Sequence, residues 1–185
     1  MTGVDERETL LWQLGTAASL FDLLTAGLSD EEAHRAPAAE AWSVRQDEAG
    51  VWRADWSDAE PDPAPPTTVA WLLWHIGWWW SDVTGRAFGD GAVPREDAAW
   101  PGSVAAAVER VHDCHARWKA GVATASAGDL ASTTLADRCW PLTGFPFSHV
   151  VAWVNAELMK NSAEIGVTRR ILSAGRSRFA SSTEA

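Results

Sequence analysis

Three polar residues interrupt the apolar side of a predicted helix near the end of the sequence. Glu157, Asn161 and Glu164 are spaced four and three residues apart, so they share one helix face. Val150 and Val154 precede them on that face. A buried carboxylate without a partner is destabilising, so a metal, an arginine, a histidine or water must satisfy these groups. The spacing therefore predicts a polar site inside the fold.

A histidine earlier in the chain is the natural counterpart of this polar group. His75 lies in the middle of the apolar run WLLWHIGWWW. Inward-pointing Glu and His side chains build the metal sites of helix bundles, and three protein ligands with an open position are typical of catalytic metal sites. The alternative is a metal-free site in which Glu157 accepts a hydrogen bond from His75 or from a tryptophan N–H.

Other reactive residues carry weaker signals. His115 occupies an apolar-stripe position on the third predicted helix, which suits either an additional site residue or a core histidine. Cys114 and Cys139 lack CxxC spacing, and we interpret both as structural. The sequence has no glycine-rich phosphate loop and no GxSxG motif. No catalytic residue can be assigned from these patterns.

Tryptophan is the unusual component, with 13 Trp and no Tyr. A Trp side chain combines a large apolar surface with one N–H that needs an acceptor. The indoles suit either a Trp-rich core or a pocket walled by indoles, and Trp74 and Trp79 are the predicted pocket residues. Trp71, Trp74 and Trp78 form a second apolar face, for which the alternative is a contact with a twin subunit.

Hydrophobic periodicity places these residues on four long helices, predicted over 5–27, 67–85, 103–125 and 147–173. We expect an all-α, four-helix bundle domain over residues 1–175 and a flexible C-terminal tail over 176–185. A capping box from Ser29 to Glu32 predicts a short helix after the first long one.

The connection over 38–66 between the first two long helices is rich in proline and acidic residues. Its length and its tryptophans indicate a partly ordered lid or flap. Segments 43–46 and 51–54 are predicted to form a small hairpin that turns at Gly50.

Charge and composition exclude several partners. The 185 residues are 46% apolar and 22% charged, and the net charge of -10 argues against nucleic acid. The longest apolar run, 69–80, is shorter than the roughly 20 residues that span a membrane. The acidic start MTGVDERETLL predicts no secretory signal, so we expect a cytoplasmic protein without a disulfide.

The segments AWSV, TTVAWLLWHIG and NAELMKNSAEIG resemble the actinobacterial branch of the DinB-like superfamily, also called YfiT-like, over roughly residues 8–172. The resemblance implies a divalent metal, such as zinc, nickel or manganese, held by one His on the second long helix and two His on the fourth. These positions are His75, Glu157 and Asn161, and Glu164 lies one turn further on. Two of the family's histidines are thus replaced, and Asn is a weak ligand.

Two functions follow from the resemblance. One is a metal-dependent enzyme, with a thiol of the mycothiol type as cosubstrate, that acts as an S-transferase or isomerase on a small apolar electrophile. The other is a non-catalytic, metal-free bundle that binds a small ligand or a protein partner through its Trp-rich pocket. The family also implies a homodimer. Retention of His75 favours the first function, and Asn161 favours the second.

Overall fold

The computed structural model describes residues 5–59, 61–89, 91–139 and 144–181, with residues 175–181 as backbone only. Within these residues the chain is mostly helical and carries seven α-helices, one 3₁₀ turn and one two-stranded hairpin. The predicted all-α class is confirmed at this level. Among the described helices, none is both long and apolar enough to cross a membrane.

The four long helices are α1, α3, α4 and α7. The elements follow in the order α1 (Glu6–Thr25), α2 (Asp30–His34), β1 (Val44–Gln46), β2 (Trp52–Ala54), α3 (Val69–Phe88), the 3₁₀ turn (Arg95–Asp97), α4 (Val104–Thr124), α5 (Ala127–Leu130), α6 (Thr133–Ala136) and α7 (Phe147–Ser181).

Local capping explains where several helices begin. The side chains of Ser29, Thr68 and Ser103 accept hydrogen bonds from backbone N–H groups in the first turns of α2, α3 and α4. These bonds satisfy donors that have no partner inside the helix. The predicted start of each helix is therefore confirmed. The short helix α5 was not predicted, although its capping box of Ser126 and Asp129 is a recognisable signal.

The long helices contact one another in a ring, from α1 to α7, α3, α4 and back to α1. Helices α1 and α7 are parallel, because Asn155 donates to the Leu10 carbonyl at 2.9 Å and Arg169 donates to the Leu24 carbonyl at 2.6 Å. Antiparallel packing joins α1 to α4, since Arg7 reaches the carbonyl of Ala125 while His112 meets Asp22 on the far half of α1.

Helices α3 and α4 are also parallel. Ser81 lies 3.3 Å from Cys114, and the Phe88 ring lies 5.2 Å from the Trp118 ring. A parallel pair requires the connection from Gly89 to Ser103 to run the length of α3, which is about 30 Å for 20 residues. The long connections thus exclude a simple chain of tight hairpins.

The connection over 38–66 is ordered at several points. Strands β1 and β2 pair antiparallel with Gln46 opposite Trp52, and Gly50 has the positive φ of +77° that a tight turn favours. The predicted hairpin is therefore confirmed. Trp42 ties the segment to the start of α3, because its carbonyl accepts the Thr68 N–H at 2.8 Å. Val44 is buried in the core, so part of the segment belongs to the hydrophobic interior.

The end of α7 differs from the prediction. The helix continues past the expected end at Ser173 and reaches Ser181. The flexibility of the tail over 176–185 stays a prediction. No proline interrupts this stretch, and its Ala and Arg residues favour a helix. Residues 182–185 lie outside the described part of the chain, as does Pro141 in the predicted connection before α7.

Arg169 of α7 forms hydrogen bonds to the C-terminal end of α1. Its guanidinium donates to the carbonyls of Leu24 and Ala26 and pairs with the carboxylate of Glu32 at 2.8 Å.

We expect Arg169→Met to lower the free energy of unfolding by about 2 kcal/mol, because charged hydrogen bonds to otherwise unpaired helix carbonyls are lost. Urea denaturation measures this change. The exposed neighbour provides the control: Arg170→Met changes stability by less than about 0.5 kcal/mol, and an equal loss in both variants would refute the role of Arg169.

Candidate functional site

Helices α3 and α7 bring part of the predicted site together. The indole N–H of Trp79 donates to Oδ1 of Asn161 at 3.1 Å, and these residues are 7% and 1% exposed. The amide of Asn161 then donates to Glu164 at 3.4 Å, near the protein surface. Asn161 therefore serves as a hydrogen-bond link between the two helices, with its oxygen directed at an indole.

Glu157 forms an ion pair within its own helix. Its carboxylate lies 2.5 Å from the ammonium of Lys160, three residues further along α7. The Glu157 side chain is 17% exposed and that of Lys160 is 54% exposed. The expected hydrogen bond from His75 or a tryptophan is thus replaced by an ion pair within one helix. The three-residue spacing of opposite charges was the available sequence signal.

His75 lies in an aromatic environment on α3. Its ring stacks on Trp71, with centroids 4.8 Å apart and planes 11° apart, and Trp56 and Trp78 lie 6.3 and 6.0 Å away. Nδ1 of His75 is buried without a hydrogen-bond partner. Burial, together with the smaller effect of the positive charge of Lys160, lowers the pKa of His75 to about 4. The imidazole is therefore neutral at pH 7.

The outer indoles of α3 are covered by the chain itself. Trp71, Trp74 and Trp78 donate their N–H groups to backbone carbonyls of Asp55, Ala98 and Val93 respectively. These acceptors belong to the two connections that flank α3 in sequence. The idea that the three indoles face a twin subunit is therefore wrong for Trp71 and Trp74, which are 7% and 3% exposed in a single copy.

A crevice of about 180 Å³ lies between these connections and α3. Three indoles and two arginines are among its lining residues, which are Trp52, Arg53, Ala54, Trp56, Trp74, Arg95, Glu96 and Ala98. The Arg95 guanidinium lies 4.8 Å from the centre of the Trp56 ring, a cation–π arrangement. We name this feature the indole crevice. Of the two predicted pocket residues, Trp74 lines it, whereas Trp79 packs in the core against Trp80 and Trp153.

His115 lies apart from this region. It packs edge-on against Trp80, which projects from α3 at about 140° from His75 because each helical residue turns by about 100°. Burial lowers the pKa of His115, and the charge of Lys119 adds to the effect. Among the cysteines, burial raises the pKa of Cys114, and raises that of Cys139 to about 11, so both thiols are poor nucleophiles.

The residues present do not fit a divalent metal. No cluster of three or more His, Cys, Asp or Glu side chains suited to a metal occurs within the described ranges. The unpaired Nδ1 of His75 is a suitable donor, but Lys160 neutralises Glu157 and the Asn161 oxygen accepts the Trp79 N–H. A nearby ammonium also repels a cation. Of the three predicted ligands, Glu157 and Asn161 thus find partners in Lys160 and Trp79 without a metal, and the imidazole of His75 keeps an unpaired nitrogen.

Comparison with known proteins identifies the family. The sequence model of the DinB superfamily matches residues 13–165, and the chain belongs to this superfamily. Many of its members bind a metal. No curated protein and no solved structure matches the chain. The predicted family is confirmed, while its actinobacterial branch stays a prediction.

The buried imidazole makes stability depend on pH. Unfolded His75 binds a proton below its ordinary pKa of 6.5, whereas the folded imidazole does so only below about 4. Unfolding therefore takes up a proton between these values, and the free energy of unfolding decreases as the pH falls, by roughly 3 kcal/mol for this group. Urea denaturation between pH 7 and 4 should show a shallower decrease for His75→Gln. An unchanged slope would contradict the burial, and the exposed His149→Gln serves as the control.

The Trp79–Asn161 bond can be isolated by a double-mutant cycle. We expect Trp79→Phe and Asn161→Ala to show a coupling of about 1 kcal/mol in unfolding free energy, since each removes one partner of the same buried bond. Trp80 gives the comparison, because its N–H is buried without a partner. A Trp80→Phe and Asn161→Ala cycle should show no coupling, and similar values in the two cycles would refute the specific bond.

Proposed function

We propose that this protein is a metal-free, non-catalytic member of the DinB superfamily, built on a four-helix bundle, that binds a small aromatic carboxylate in the indole crevice. The observation that carries the metal-free part is the pairing of Glu157 with Lys160. In place of two histidine ligands, α7 presents an internal ion pair and an amide held by Trp79. The positive charge near His75 therefore comes from the ammonium group of Lys160 and not from a metal ion.

The walls of the indole crevice support the ligand class. Trp52, Trp56 and Trp74 give the crevice aromatic walls, and such walls favour an aromatic ligand through edge-to-face contacts. A volume of about 180 Å³ lies below the usual range for drug-sized ligands, so the ligand is small.

Two guanidinium groups favour an anion at the mouth of the crevice. Arg53 pairs with Asp47 at 3.2 Å, and Arg95 pairs with Asp58 at 3.2 Å. The Asp58 side chain is 93% exposed, so this pair contributes little and is readily exchanged. A ligand carboxylate can replace Asp58 as the partner of Arg95, because the guanidinium can donate two parallel hydrogen bonds to one carboxylate. Glu96 at the same mouth disfavours ligands with several negative charges.

The second candidate is a metal-dependent S-transferase or isomerase that uses a thiol of the mycothiol type. The observation that favours it is the buried, unpaired Nδ1 of His75, which has the character of an empty ligand position. His75, Glu157 and Asn161 would hold zinc, nickel or manganese, with Glu164 in reserve. Both cysteines are free, which suits a cytoplasmic protein in either case.

Metal analysis of untagged protein separates the two candidates. Protein produced with added zinc, nickel and manganese should contain less than about 0.1 metal ion per chain, because the cation of Lys160 already pairs with Glu157. Inductively coupled plasma mass spectrometry measures the number of metal ions per chain. A stoichiometric metal that disappears in His75→Ala would overturn the metal-free proposal and favour the enzyme.

Calorimetric titration with indole-3-acetate tests the ligand. We expect saturable binding of one molecule, weakened about tenfold in Trp56→Ala through the loss of an aromatic wall of the crevice. Trp12→Ala removes an exposed indole from α1 and should bind as the unmodified protein does. Absence of binding, or equal weakening in both variants, would exclude the crevice as the site.

A further inference from the structure

A second open space lies between α3 and α4, near the C-terminal ends of both helices. It is a groove of about 500 Å³, which we name the α3–α4 groove. Its lining residues come from facing turns of the two helices and are Thr84, Phe88, Arg117, Ala120, Gly121 and Thr124. None of them lines the indole crevice, so the two spaces are separate sites.

The floor of the α3–α4 groove is apolar. A Cβ on Gly121 would collide with the Phe88 ring, so this ring lies directly against the backbone of α4. Phe88 is nevertheless 37% exposed. Along α4 the groove runs from Arg117 to Thr124, which is about 10 Å of helix. A narrow apolar strip of this length suits an alkyl chain.

Arg117 gives the groove a positive charge without a counter-ion. Within the described ranges, seven other arginines pair with an Asp or Glu side chain, whereas Arg117 forms no ion pair and no hydrogen bond there. Its guanidinium lies beside Gly89, where the end of α3 offers only a partial negative charge. None of the lining residues of the groove is acidic. In a chain with 25 acidic and 15 basic residues, a guanidinium that no carboxylate contacts favours an anion from outside the chain.

Thr84 adds a buried hydroxyl to the same groove. The residue is 2% exposed, and its Oγ1 has no hydrogen-bond partner within the described part of the chain. A buried hydroxyl without a partner destabilises a fold, so each such group needs an explanation. Thr84 lies one turn of α3 before Phe88 and borders the groove. An anion in the groove can accept a hydrogen bond from this hydroxyl.

We propose that the α3–α4 groove binds a free fatty acid of medium chain length. Its carboxylate accepts hydrogen bonds from the Arg117 guanidinium and the Thr84 hydroxyl, and its alkyl chain lies on Phe88, Ala120 and Gly121. The single guanidinium suits one negative charge, and burial of the methylene groups on the apolar floor supplies most of the affinity.

Isothermal titration calorimetry with decanoate tests the site. We expect one molecule bound per chain, and binding about tenfold weaker in Arg117→Gln because a charged hydrogen bond is lost. Arg170→Gln removes an exposed arginine of α7 and should bind decanoate as the unmodified protein does. Decanol, which has the same chain without the charge, should bind about tenfold more weakly than decanoate.

Thr84→Val separates ligand binding from folding. We expect weaker decanoate binding, while the melting temperature stays the same or rises, because the hydroxyl forms no hydrogen bond within the described chain. Circular dichroism during heating measures the melting temperature. Unchanged decanoate binding in this variant would refute the role of the hydroxyl in the proposed site.

Two further controls keep this site distinct from the indole crevice. Trp56→Ala should retain decanoate binding, and Arg117→Gln should retain the binding of indole-3-acetate, because the two sites share no lining residue. Loss of decanoate binding in Trp56→Ala would place the fatty acid in the crevice and overturn the proposal. No saturable decanoate binding, or equal weakening in Arg117→Gln and Arg170→Gln, would overturn it as well.

Discussion

The hydrogen-bonding requirement of the α3 indoles organises much of this structure. Five tryptophans lie on α3, and a buried indole N–H without an acceptor destabilises the fold by about 1–3 kcal/mol. Three of them donate to backbone carbonyls of the flanking connections, which fixes those connections against the helix. Trp79 instead donates to Asn161, which fixes the register of α7. The indole crevice and the surroundings of His75 are products of the same requirement.

The polar residues between α3 and α7 form a balanced electrostatic unit. Lys160 neutralises Glu157, and burial keeps His75 neutral at pH 7. A neutral imidazole with an unpaired nitrogen is an acceptor or a ligand, not a cation. Many members of the superfamily bind a metal, and in this chain the positive charge next to Glu157 is that of a lysine. A fold can host different polar sites, so membership of the superfamily does not by itself assign a metal to this unit.

Local signals were sufficient to predict most of the elements. Apolar periodicity and capping residues such as Thr68 and Ser103 act within one or two turns, so the sequence reveals them directly. The extended end of α7 was missed because Gly175 and the serines around it are typical of a helix end, whereas the helix continues through them to Ser181. The contact between Trp56 and His75 joins residues in different elements, and such long-range packing depends on the path of the whole connection. The pairing of Glu157 with Lys160 was not predicted, because the family resemblance implies metal ligands at this part of α7.

The parallel packing of α1 against α7 has a consequence for synthesis on the ribosome. Helix α1 leaves the ribosome first, while its partner α7 is translated on the order of ten seconds later at typical elongation rates. During that delay the apolar side of α1 has no permanent neighbour from α7. A general chaperone can therefore protect the apolar side of α1 in the nascent chain until α7 is made. Premature termination before α7 would leave a fragment with this apolar surface exposed, which is prone to aggregation and degradation.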